Sequence, residues 1–98
     1  MLQEYYPTKM NRLENEFVFN YKGRAFYVRC IRYKLNTLVN VNVINKMITN
    51  TYNFTNIILI LCTENDISKN ALCKIDKLTR SIYVTSYANL IEKIKSFV

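Results

Sequence analysis

The chain has no histidine among its 98 residues, and only one glycine and one proline. Without an imidazole there is no Ser-His-Asp triad, no histidine general base and no histidine metal ligand. The three cysteines, Cys30, Cys62 and Cys73, form no Cys-x-x-Cys pair of the kind that holds zinc. One glycine and one proline leave little room for long irregular loops, so nearly the whole chain should be regular elements joined by short turns. Long apolar runs are missing too. The longest, Ile57 to Cys62, is far too short to cross a bilayer, and the N-terminus lacks the pattern of a signal peptide. An odd number of cysteines in apolar surroundings then points to reduced, buried thiols in an intracellular, reducing compartment, cytoplasm or nucleus. No membrane partner and no small-molecule cofactor is expected.

What the chain does contain is ordinary globular material. Half the residues are hydrophobic and 21% are charged, enough for one small domain over residues 1–98 with a modest core. The formal net charge is +7, with lysines and arginines spread along the sequence. Such a balance suits a nucleic acid or another polyanion as partner. It also matches the lysine-, asparagine- and isoleucine-rich coding of an AT-rich genome, viral for example. Asn53-Phe54-Thr55 fits a glycosylation sequon, but in an asparagine-rich chain it reads as a chance match.

Residues 1–15 show no clear period. Pro7 breaks any long helix, leaving room for a short one around Thr8 to Glu14. From Glu16 to Lys34 the sequence reads as a β-hairpin: Phe17-Val18-Phe19, a turn at Asn20 to Gly23 with a positive φ at the glycine, then a strand from Arg24. Alternation along that second strand places Arg24, Phe26, Val28, Cys30 and Arg32 on one face. Ala25, Tyr27, Arg29, Ile31 and Tyr33 fall on the other.

Residues 38–51 satisfy both a strand alternation and a helical face. A helix capped by Asn40 is preferred, because the next element demands a crossover. That element, Asn56 to Thr63, is continuously apolar, the pattern of a strand buried on both faces. A helix follows with Ser68 as N-cap and Ala71, Leu72, Ile75 and Leu78 on one face, ending near Arg80. A short strand at Ser81 to Ser86 and a helix at Tyr87 to Phe97 close the chain. The order β-β-α-β-α-β-α predicts an α/β fold with a small mixed sheet, in two or three layers.

That order, together with the words Phe26-Tyr27-Val28-Arg29-Cys30-Ile31-Arg32-Tyr33-Lys34, Ile57 to Thr63, Ser68-Lys69-Asn70-Ala71 and Ile82 to Ile91, resembles the Mrr-like branch of the restriction-endonuclease-like superfamily. The resemblance covers Glu16 to Phe97. It implies an acidic residue on the first hairpin strand that holds Mg²⁺, and a Glu/Gln-x-Lys on the second that completes the site for phosphodiester cleavage. In this chain the corresponding positions are Glu16, Arg29 and Ile31, so the site is degenerate. A guanidinium at 29 places a permanent positive charge beside the cation position, and an isoleucine cannot orient water. Arg32 points to the opposite face and Lys34 lies beyond the site. The family also carries elements ahead of the hairpin, for which only residues 1–15 are available. A bared sheet edge would then invite pairing with another chain.

Three functional readings follow. In the first, a nuclease-fold module without catalysis binds nucleic acid or a protein partner. Lys22, Arg24, Arg29, Arg32 and Lys34, interleaved with Tyr21, Phe26, Tyr27 and Tyr33, would supply phosphate contacts and stacking. In competition with this, the aromatics are simply core and the arginines a solvated rim. In the second, a structural or assembly subunit acts by dimerisation or protein contact. In the third, a Mg²⁺-dependent endonuclease uses a rearranged site drawing on Glu14, Glu64 and Asp66 besides Glu16. Glu64 and Asp66 also read as turn residues leading into a helix N-terminus.

Overall fold

The computed structural model describes residues 12–98. Seven elements follow one another: β1 (Arg12–Tyr21), β2 (Arg24–Tyr33), α1 (Val41–Asn50), β3 (Ile57–Thr63), α2 (Lys69–Lys77), β4 (Ile82–Thr85) and α3 (Leu90–Lys95). The strands form one mixed sheet in the order β1-β2-β3-β4. β1 and β2 are antiparallel, whereas β2–β3 and β3–β4 are parallel. Each parallel step requires a crossover, and α1 and α2 supply them. Two right-handed crossovers advancing in the same direction deposit their helices on the same face of a sheet. Accordingly α1 and α2 lie side by side there, over Tyr27, Ile31, Leu59 and Leu61. α3 covers the opposite face, over Phe26, Val28, Ile58, Ile60 and Cys62. The fold is thus a three-layer α/β arrangement with a core on each side of the sheet.

The hairpin is longer and its turn tighter than the residue pattern predicts. Pairing runs from Arg12↔Tyr33 to Tyr21↔Arg24, leaving only Lys22 and Gly23 in the turn. Both have positive φ, 50° and 82°, as a two-residue loop matching the strand twist requires. The strand signal was masked between residues 12 and 15 because Glu14 and Asn15 are poor strand formers; cross-strand pairing overrides their preference. Of the helix expected over Thr8 to Glu14, residues 12–14 are therefore strand. The remainder lies outside the described residues.

Residues 41–50 form the helix preferred over a strand, with the Asn40 side chain accepting a hydrogen bond from Asn42 N. Ser68 caps α2 through Ala71 N. This helix ends at Lys77 and not near Arg80: Leu78 turns to extended backbone, and Arg80 instead donates to Thr51 O and Oγ1 at the end of α1, and to Phe54 O. α3 is also shorter than its apolar spacing predicts. Tyr87 to Asn89 form a turn, tied down by hydrogen bonds from Asn89 N to the Ser86 carbonyl and hydroxyl oxygens. Leu72, expected on a buried helix face, is exposed, as is Ile91 of α3. The thiols diverge likewise: Cys62 is buried and Cys30 half-buried, while Cys73 on α2 is exposed.

At the carboxyl ends of β2 and β3 the connections are laced together. Asn65 Oδ1 accepts from Tyr33 N at 3.0 Å, and its Nδ2 donates to Thr37 O at 3.0 Å. Val39 N donates to Asp66 O, and Ser68 N to Val39 O, which fixes the chain entering both crossover helices. No helix among the described residues is long and apolar enough to cross a membrane.

Candidate functional site

The hairpin brings Glu16 directly opposite Arg29, and Glu14 opposite Ile31. Registered residues of an antiparallel pair share a face, so both carboxylates point to the side of Arg29, beneath α1. Arg29 is only 6% exposed. Its Nη2 lies 2.8 Å from Glu14 Oε1, and its Nη1 lies 3.2 Å from Glu16 Oε2 and 3.1 Å from the buried Tyr27 hydroxyl. Tyr33 donates its hydroxyl to the second oxygen of Glu14 at 3.1 Å. Asn50, the last residue of α1, donates Nδ2 to both oxygens of Glu16. Within this network Arg29 Nε is buried without a partner.

The electrostatics follow from this arrangement. Burial works to lower the Arg29 pKa. Hydrogen bonds to Glu14 and Tyr27, with the Glu14 charge, more than offset it, so the guanidinium is held even more firmly protonated than usual. A permanent cation therefore stands between two carboxylates. The residues do not fit Mg²⁺ there. Both carboxylates already bond to a guanidinium, a divalent ion would meet that charge at close range, and the neighbouring Ile31 is fully buried and offers no ligand.

Beside this cluster a cleft of about 420 Å³ opens between the hairpin and α1. Glu14 and Tyr33 form one side, and Asn42, Lys46 and Asn50 line the helix side. Glu64 and Asp66 lie away from it. Glu64 Oε2 accepts from Tyr87 N at 2.7 Å, and Asp66 contributes its carbonyl to Val39. The structure thus brings together Glu14, Glu16 and Arg29, and leaves Glu64 and Asp66 at the loop linking β3 to α2.

The five basic residues between Glu16 and Lys34 divide. Arg29 is buried and bound to carboxylates, whereas Lys22, Arg24, Arg32 and Lys34 are exposed. The ammonium of Lys22 sits over the Tyr21 ring at 5.6 Å, and the Arg32 guanidinium over Tyr87 at 4.8 Å. Arg24 donates to Phe97 O. Among the aromatics, Phe26 and Tyr27 are fully buried core residues; Tyr21 and Tyr33 are half-buried. Sequence reasoning missed Tyr27, Tyr33 and Asn50 as partners of the charged cluster. The first two were visible in principle, since alternation puts both on the face of Arg29. Asn50 comes from a separate element and left no local signal.

None of the protein-family models, curated proteins or solved structures compared with the chain matches it. The likeness to the Mrr-like nucleases therefore rests on element order and short words alone.

Proposed function

We propose that this chain is a nucleic-acid-binding module built on a nuclease-like architecture whose metal position has been given over to an ion pair. The observation that carries this reading is Arg29, fixed between Glu14 and Glu16, of which the nuclease resemblance would give Glu16 to a metal. Loss of the metal position removes hydrolysis and leaves the basic surface. Lys22, Arg24, Arg32 and Lys34 are then the phosphate contacts, and Arg29 serves to hold the hairpin together. Binding to oligonucleotides at low salt should weaken steeply as salt rises, and Lys22→Ala with Arg24→Ala should reduce the salt slope. Cleavage of either strand type in Mg²⁺ or Mn²⁺ would refute the non-catalytic reading. Absence of binding to any nucleic acid at low salt would refute the binding.

A protein partner is the second reading, favoured by the exposure of Phe17 and Val18 on opposite faces of β1. A native mass measurement showing a stable dimer would support it.

A further inference from the structure

The face of the sheet covered by α3 is unevenly covered. Phe26, Val28 and Ile60 lie buried beneath the helix, but the β1 side of the same face is open: Phe19, Tyr21 and Cys30 are half-buried and Phe17 is 52% exposed. Phe17 sits opposite Val28, and Phe19 opposite Phe26, on whose ring it stacks at 5.4 Å. Phe19 is thus anchored to the core, while Phe17 extends the same aromatic strip into solvent. Cations stand at both ends of the strip. Lys22 lies in the hairpin turn with Arg24 beside it, and Arg32 with Lys34 lies at the far end of β2. From Arg24 to Arg32 the strand rises roughly 26 Å, enough for several nucleotides of extended single strand.

We infer that this strip binds single-stranded nucleic acid, with a base stacked on Phe17 and the backbone running between the two basic ends. The inference rests on the nucleic-acid reading above and narrows its ligand. An unpaired strand can turn a base onto an exposed ring, whereas a duplex keeps its bases stacked inside and offers the strip only phosphates. The charge distribution also argues against a second copy as occupant. A two-fold contact through this face would set the same four cations of each copy against those of the other.

The test is fluorescence anisotropy with labelled oligo(dT), oligo(U) and a duplex of the same length, at low salt. The single strands bind more tightly than the duplex. Phe17→Ala weakens single-strand binding about five- to a hundredfold, leaves duplex binding unchanged, and Phe17→Tyr retains it. Phe17 is exposed, so circular dichroism should show both variants folded. If single strand and duplex bind equally and Phe17→Ala changes neither, the stacking inference is overturned while the nucleic-acid reading stands. If neither nucleic acid binds, both fall. A dimer in sedimentation that Phe17→Ala dissociates would overturn the inference in favour of a second copy.

Discussion

Arg29 reaches Glu14 more closely than it reaches Glu16, 2.8 Å against 3.2 Å, although Glu16 is its partner across the hairpin and Glu14 is paired with Ile31. The diagonal contact is also the more buried one. The Glu14 side chain is 14% exposed and shares its other oxygen with Tyr33, while Glu16 is 45% exposed and held by Asn50 at the end of α1. One guanidinium therefore joins an interior ion pair to a solvent-screened one. The strong half of the cluster is the half that the family resemblance does not point to.

Unequal burial predicts unequal costs. Arg29→Ala leaves the Glu14 carboxylate and the Tyr27 hydroxyl without their shared donor and should destabilise the fold by about 3 kcal/mol, the scale for stranding one member of a buried pair. Glu14→Gln should cost clearly more than Glu16→Gln, whose exposed contact is worth about 0.5 kcal/mol. Urea denaturation of the three variants checks the order. Equal effects for the two glutamates would show that burial does not rank them.

Much of this arrangement was legible in the residue order, and the physical reason is periodicity. Period-two alternation placed Arg29 with Tyr27 and Ile31, and the unbroken apolar run from Ile57 read as a strand buried on both faces, which in turn demanded a crossover helix before it. Asn40 and Ser68 announced their helices by capping. Illegible were the features decided by tertiary contact. Arg12 to Asn15 are strand only because β2 pairs with them, and Cys73, Leu72 and Ile91 are exposed because, among the described residues, no further layer lies above their short helices. The burial of Arg29 was likewise set by a helix that local sequence does not connect to it.

Arg80 offers a test of one such contact. Its guanidinium bonds to the carbonyl and hydroxyl of Thr51, the C-cap of α1, and to the carbonyl of Phe54, so a single side chain satisfies the end of a helix that has no basic residue in its last turn. Arg80→Met keeps most of the apolar stem and removes the donors. It should cost about 1–3 kcal/mol, with hydrogen exchange accelerating first at the C-terminal turn of α1. Uniform acceleration across the sheet would argue against a local clamp.

The turn of the hairpin makes a smaller prediction. A Cβ on Gly23 would meet nothing within 4 Å, so the cost of Gly23→Ala comes only from its φ of 82° and should be about 1 kcal/mol. Lys22→Asn, placing a residue that tolerates positive φ at 50°, should be neutral or slightly stabilising. Thermal melts of both variants decide it, and a Gly23→Ala protein as stable as the parent would show that the turn relaxes to another type.

Cys30 and Cys62 are registered neighbours on β2 and β3, and their burial predicts that stability falls in alkali. Burial pushes both thiols up. For Cys62 the charge of Cys30, its hydrogen bond and Glu64 add to burial while Arg32 opposes it, raising its pKa from 9.0 to about 12. A thiol with a raised folded-state pKa holds its proton more tightly folded than unfolded. Its stabilising contribution is therefore complete below a pH of about 9 and is lost as the pH climbs toward about 12. Denaturation midpoints measured across that window should decline, and less so in a Cys30→Ala, Cys62→Ala double variant, which lacks both titrating groups. Thiol labelling should agree: the exposed Cys73 reacts first in the folded protein, and Cys62 reacts only on unfolding. An identical alkaline decline in the double variant would show that the two thiols do not set it.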